Sequence, residues 1–304
     1  MNDKKTPLIK LITSMLIFGT VGLFKTGITG MSSASVACFR GAAGALFLLL
    51  YCLIAKHPLR NGLGGKKLAV RALAGALMGF NWILLFEAFR FTTVSVATLC
   101  YYMEPTFVML VSPWLFHEKL TAKKWLCVLV SLIGMVLVSG VIGGGAADAA
   151  SVRGVLFGLG AGVLYASVVC LNKLAGGADV YERTFIELLS AAIVLVPYIL
   201  LTETRFSFPP DTKGVILLVV LGFAHTGLAY VLYFGSLDRL PAQSVALLSY
   251  IDPVSALLFS ALFLGERLSV WGILGAVLIL GAAAFAELGG AADFPRIFKK
   301  YHEK

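Results

Sequence analysis

The chain has 304 residues, of which 59% are apolar and only 13% charged. An ordinary soluble domain carries roughly 45–50% apolar and about 25% charged residues, so a soluble, disordered or disulfide-stapled protein is all but excluded. Ten stretches of about 20 apolar residues, each enough to cross a bilayer's hydrocarbon core, would use about 200 residues and leave about 100 for loops and tails.

In chain order, the segments that can each cross once are Leu8–Gly27, Ser33–Ala55, Leu68–Phe89, Val94–Phe116, Trp125–Val141, Val155–Leu171, Phe185–Leu201, Gly214–Ser236, Ala242–Leu264 and Val270–Ala286. Their continuous hydrophobicity, without alternation at period two, predicts helices rather than barrel strands. The expected fold class is an all-α integral membrane protein of ten transmembrane helices. Turn signals separate the segments at Asn61-Gly62, Gly143-Gly144-Gly145, Gly176-Gly177 and Pro209-Pro210-Asp211. Thr121 and Ser269 stand where helix N-caps are wanted, before the fifth and tenth spans. The first apolar run lacks an Ala-x-Ala-like cleavage site and reads as a retained span.

The net charge of +9 invites a nucleic-acid reading. With the N-terminus in the cytoplasm, however, eighteen basic residues fall on the inner side, six on the outer side, and Arg40 inside a span. That is the positive-inside pattern, so both termini are expected in the cytoplasm and nucleic acid is not an expected partner. The basic tail around residues 294–301 either lies on anionic headgroups or is solvated. Cys38, Cys52, Cys100, Cys127 and Cys170 all fall in apolar spans without metal-type spacing, and read as free buried thiols. No cofactor or metal is expected.

A shift of 148 residues aligns Tyr102-Met103-Glu104-Pro105 with Tyr250-Ile251-Asp252-Pro253, and His117-Glu118-Lys119-Leu120 with Gly265-Glu266-Arg267-Leu268. The chain therefore divides into two repeats, 1–145 and 146–304. Five spans in each reverse the second copy in the membrane, and inverted repeats are a construction of secondary transporters. The paired acid-Pro and Glu-x-Leu signatures, the ten-span plan and Phe39-Arg40-Gly41 early in the second span resemble an EamA-type transporter of the drug/metabolite transporter superfamily. The resemblance implies a 5+5 inverted-repeat fold working by alternating access, usually exporting small metabolites such as amino acids. His117 departs from the family pattern, which has glycine before Glu118; Gly265 keeps it.

Glu104 and Asp252 lie near the middle of their spans, each followed by a proline, Pro105 and Pro253, that cannot donate to the preceding turn. A carboxylate in hydrocarbon is costly, so both should face an interior cavity or be neutral. Arg40 has three readings: a salt bridge, a grip on a substrate carboxylate, or snorkelling to the interface. Glu187 lies just inside the seventh span, at substrate or at the interface. Glu87 and Arg90, three apart on one helix face, form an expected structural pair. Trp82, Tyr101, Tyr102, Tyr165, Tyr230, Tyr233 and Tyr250 could cage an ammonium group or pack, with Tyr102 and Tyr250 favoured by their place in the repeat. Asn81 and His225 are polar inside spans, and His225 is either a proton carrier or an interhelical hydrogen-bonding group. Gly75-x-x-x-Gly79 and Gly154-x-x-x-Gly158-x-x-x-Gly162 would let helices approach closely within the monomer, or form a dimer face.

The expected function is a secondary transporter of a small metabolite, exporting amino acids or related compounds, with protons as one possible coupling ion and lipid as its surroundings. The alternative is uptake of a quaternary or protonated, choline-like amine. A membrane-embedded enzyme is a remote third, since Walker A, zincin and Gly-x-Ser-x-Gly motifs are all missing.

Overall fold

A computed structural model describes residues 5–57, 65–117, 121–138, 149–176, 179–203, 205–237, 240 and 248–290. Glu118, Lys119 and Leu120, the triple glycine at 143–145, the first residues of the ninth expected span (242–247) and the basic tail lie outside the described residues.

Every described element is helical. The order is α1 (Lys5–Gly19), α2 (Val21–Thr26), α3 (Ser33–Ile54), α4 (Gly65–Phe91), α5 (Val94–Tyr101), α6 (Glu104–Phe116), α7 (Ala122–Val138), α8 (Ala149–Ala175), α9 (Val180–Thr202), α10 (Thr212–Gly222), a π-helical turn (Phe223–Leu228), α11 (Ala229–Leu237), α12 (Ile251–Phe259), a second π-helical turn (Ser260–Leu264) and α13 (Val270–Gly290). Seven helical segments are long and apolar enough to cross a membrane: Thr6–Thr26, Ser33–Ile54, Gly65–Phe91, Val94–Phe116, Ser151–Ala175, Val180–Thr202 and Thr212–Ser236. Three shorter apolar helices, Ala122–Val138, Ile251–Leu264 and Val270–Ala286, occupy the remaining expected positions.

The helix starts have local causes. Ser32 and Thr93 accept from the amides of Ser35 and Val96, while Asp179 and Asp211 accept from Tyr181, Glu182 and Gly214. The expected caps are in place: the Lys124 amide donates to Thr121 Oγ1 at 3.4 Å and the Gly272 amide to Ser269 Oγ at 3.0 Å. Only Thr92 and Thr93 separate α4 from α5. Glu266 extends the capping of α5 from the other end of the chain, accepting from the amides of Val94 (2.8 Å) and Ser95 (3.1 Å) and from the hydroxyls of Ser95 and Ser260. A carboxylate beside otherwise unpaired first-turn amides suits the positive end of the helix dipole.

Helix α4 packs along α8 and α9, α3 on α9 and the first π turn, α1 on α11 and α12, α5 and α6 on α8, and α7 on α13. Glycines set the closest crossings. A Cβ on Gly134 would stand 2.8 Å from the Gly275 carbonyl, and one on Gly275 2.5 Å from the Gly134 carbonyl, so α7 and α13 meet backbone to backbone. Both glycine motifs serve contacts within the chain: Gly75 and Gly79 face α9, and Gly154, Gly158 and Gly162 face Thr92, Ala97, Cys100 and Tyr101. The five cysteines are free and buried. Large apolar side chains such as Ile54, Leu201 and Leu262 point outward from the bundle, the arrangement that a lipid surround requires.

Two basic residues near span ends, counted by sequence toward the outer side (Lys25) and the inner side (Arg71), are buried. Arg71 is 1% exposed because α4 begins at Gly65, ahead of the expected Leu68, which brings its guanidinium within 3.4 Å of the Gly176 carbonyl closing α8. Lys25 is 5% exposed because α2 carries it inside the bundle.

His117 ends α6 in the left-handed region with φ 53°, and Gly265 ends the equivalent helix with φ 68°. Both helix ends thus turn through the left-handed region, with a histidine bearing strain that glycine escapes. His117→Gly is therefore expected to stabilise the fold by about 1 kcal/mol, seen as a Tm rise of about 2 °C in detergent-purified protein; a lower Tm would contradict the strain argument.

Candidate functional site

Proline decides where the fourth span breaks. Pro105 has no N–H for the Tyr101 carbonyl, so α5 stops at Tyr101 and α6 restarts at Glu104, with the Met103 amide turning back to Cys100 at 3.2 Å. The same construction recurs in the second half, where Tyr250 precedes α12 and Asp252 and Pro253 sit in its first turn. Each restart places a carboxylate at a helix N-terminus inside the bundle, where the dipole offsets part of its desolvation.

The first span is also interrupted, at Thr20 between α1 and α2. The three breaks surround a cavity of about 330 Å³, at the small end of the usual range for ligand pockets. Of the residues singled out by sequence, Arg40, Trp82, Tyr101, Tyr102, Glu104, Pro105, Tyr165, Tyr230, Tyr233, Tyr250 and Asp252 line it. Tyr102 Oη donates to Asp252 Oδ2 at 2.5 Å, joining the fourth span to the equivalent helix of the second half. Tyr101 stacks obliquely on Tyr165 at 5.4 Å and meets Tyr102 edge-on at 5.6 Å.

Arg40 supplies the opposite charge. It is 5% exposed, so snorkelling is not its role in this structure. Its Nε donates to Thr226 Oγ1 at 2.8 Å, and its guanidinium carbon lies 4.4 Å from the Trp82 ring centroid and 6.0 Å from that of Phe86. Thr226 sits in the first π turn, whose wider winding lets its hydroxyl also reach the Leu221 carbonyl five residues back. Among the described residues Arg40 forms no salt bridge, so the fork of terminal amino groups stays available to a ligand in the cavity it lines.

Four other sequence candidates lie away from the cavity wall. Asn81 Nδ2 donates to the Ala161 carbonyl at 2.5 Å, a link between α4 and α8. His225 contacts Thr20 Oγ1 at 2.8 Å through Nε2 and the Val220 carbonyl at 3.2 Å through Nδ1, tying the first π turn to the α1–α2 break. Glu187 is buried with Oε1 3.9 Å from Arg183 Nε. Pro253 is buried behind Asp252. Arg90 grips Glu87 through both carboxylate oxygens at 2.9–3.0 Å, the expected structural pair. Among the described residues no group of His, Cys, Asp and Glu could hold a metal ion.

Thr20, Thr226 and the π turn escaped the sequence reading. Hydropathy counts residues and cannot see a change of winding, although the Gly19-Thr20-Val21-Gly22 stretch was a legible sign of a weak point in the first span.

The model of the EamA-like transporter family matches twice, over residues 5–140 and 152–287. The chain belongs to the EamA-like transporter family. An "Uncharacterized transporter YxxF" of Bacillus subtilis (strain 168) is 29% identical over 285 residues, covering 93% of this chain and 89% of its own length. An "Uncharacterized transporter" of Archaeoglobus fulgidus is 28% identical over 281 residues, covering 91% and 94%. A protein of solved crystal structure shares the fold with a TM-score of 0.64 at 22% identity, over 94% of this chain and 97% of that one. As a member of a transporter family with membrane-crossing helices, this chain is a multi-pass membrane protein that moves a small molecule. Family membership favours transport over the membrane-embedded enzyme reading.

Proposed function

We propose that this EamA-family member is a secondary transporter that exports amino acids or closely related zwitterions by alternating access. The observation that carries the reading is the charge layout of the central cavity: a guanidinium that forms no salt bridge with any described residue shares one small chamber with Glu104, Asp252 and several tyrosine rings. Arg40 would grip the substrate carboxylate bidentately, and the acids and rings would receive its ammonium group.

The helix pairing supports a ten-span, 5+5 inverted repeat divided as 1–145 and 146–304. Exchanging each span for the one five places on turns the α4–α8 contact into α11–α1, the α5/α6–α8 contact into α12–α1, and the α4–α9 contact into that of the first π turn with α3; α3–α9 and α7–α13 map onto themselves. In such a fold the two halves rock about the site between them. The Tyr102–Asp252 bond crosses between the halves, and Glu104 and Asp252 are the groups through which protons could be coupled to movement. The positive-inside excess of basic residues supports termini in the cytoplasm.

The test is efflux from proteoliposomes loaded with isotopically labelled amino acids, choline and nucleosides, read by mass spectrometry. Amino-acid efflux that Glu104→Gln and Asp252→Asn each abolish, with both variants expressing normally, is the expected result. Efflux confined to choline would replace this reading with the amine one, and wild-type flux in both variants would remove these acids from the site.

A further inference from the structure

A second, larger cavity of about 580 Å³ lies against the central one, and Phe89 lines both. Its wall is formed by the α2–α3 link, residues 27–32, and the segment after α9. Three bonds sew these together: Ser32 N–H to Ser207 Oγ at 2.7 Å, Ser207 N–H to Ser35 Oγ at 3.2 Å, and Ser32 Oγ–H to Glu203 Oε2 at 2.6 Å. This wall is built, not an incidental gap between helix ends.

The cavity's charge is the informative part. Lys25, Arg90 and Arg205 line it, against the single acid Glu203. Arg90 is balanced by Glu87. Lys25 is different: it is 95% buried, its ammonium lies 5.6 Å from the Phe86 ring centroid, and it has no hydrogen bond or salt bridge to any described residue. The carboxylate that acts on it, Glu87, is already gripped by Arg90; a buried ammonium with no ion-pair partner of its own is costly to hold, and that cost falls when an anion enters the cavity.

We propose that this cavity is an anion subsite, in which Lys25 and Arg205, with Arg90 at the rim, hold the carboxylate of a small organic substrate on the path to or from the central cavity beyond Phe89. The substrate class rests on the transport reading above; the anion site itself does not.

The test uses methyl acetyl phosphate, a monoanionic acetylating reagent, on the full chain in lipid nanodiscs, where both faces are accessible. The lysine amine attacks the acetyl carbon with its lone pair, the carbon–oxygen bond to phosphate breaks, methyl phosphate leaves and the amine loses a proton to water, giving N-acetyl-lysine. Peptide mass spectrometry should show Lys25 acetylated at least fivefold faster than exposed Lys213, slowed by benzoate, and slowed at least threefold by Arg205→Gln with Lys213 unchanged. Because Arg205 is exposed, that variant should fold normally. Labelling of Lys25 no faster than of Lys213, or indifferent to both benzoate and Arg205→Gln, overturns the proposal. Loss of labelling with amino-acid efflux intact removes this subsite alone, whereas labelling without efflux removes the transport reading alone.

Discussion

Arg40→Gln is expected to weaken binding and efflux of zwitterionic amino acids roughly 10- to 150-fold, while leaving amines that lack a carboxylate unaffected or better bound. The size follows from losing a charge-assisted hydrogen bond, worth about 1.5–3 kcal/mol, at about 1.4 kcal/mol per tenfold change. Had Arg40 been half of a buried salt bridge, its removal would strand an acid and cost about 3–5 kcal/mol of stability. Among the described residues it forms no salt bridge, and glutamine can still donate to Thr226, so the variant should fold and the loss should appear in ligand binding. Arg40→Lys tests geometry separately from charge. It keeps the positive charge but gives up the planar fork and its stacking 4.4 Å from the Trp82 ring, so an intermediate loss is expected. Thermal shift against a panel of amino acids and amines, followed by flux, reads both variants. Unchanged amino-acid affinity in Arg40→Gln would remove Arg40 from the site.

The helical plan was legible because hydropathy runs of about 20 residues report directly on what hydrocarbon demands of a backbone. The acid-proline pairs were legible for a related reason: a buried acid and a missing amide each break a rule that needs compensation nearby, and repetition at one offset marked them as a pair. What sequence could not give was direction around a helix axis. Asn81 and Trp82 are neighbours on α4, yet Trp82 faces the cavity and Asn81 bonds to α8. His225 and Thr226 divide likewise, one reaching Thr20 and the other Arg40, through a π turn with no hydropathy signal. Lys25 and Arg71 lie near the ends of their expected spans and count there only toward the charge on each side of the membrane; hydropathy does not say whether a long cationic side chain at a span's end reaches back to solvent or turns into the bundle, as both do.

The second large effect concerns packing. Gly75→Ala is expected to destabilise the protein by about 2 kcal/mol or more, whereas Gly79→Ala should be close to neutral and Gly281→Ala stabilising by about 1 kcal/mol. Alanine gains about 1 kcal/mol over glycine in any helix interior, so the differences come from what the added methyl meets. At Gly281 nothing lies within 4 Å. At Gly79 the neighbours are side-chain atoms of Leu195 and Ala191 at 3.2–3.3 Å, which can give by a few tenths of an ångström. At Gly75 the methyl would stand near the Glu187 backbone, with its Cα only 2.7 Å away, and backbone cannot rotate aside; α4 would have to lift off α9. Overpacking of that kind costs about 1–3 kcal/mol, more where only whole helices can move. Trp82 lies seven residues on, two turns along the same face, so the displacement would also carry away the ring on which Arg40 rests. Gly75→Ala should therefore lose both Tm and amino-acid affinity, and equal Tm values for the Gly75 and Gly281 variants would show that α4 does not approach α9 this closely.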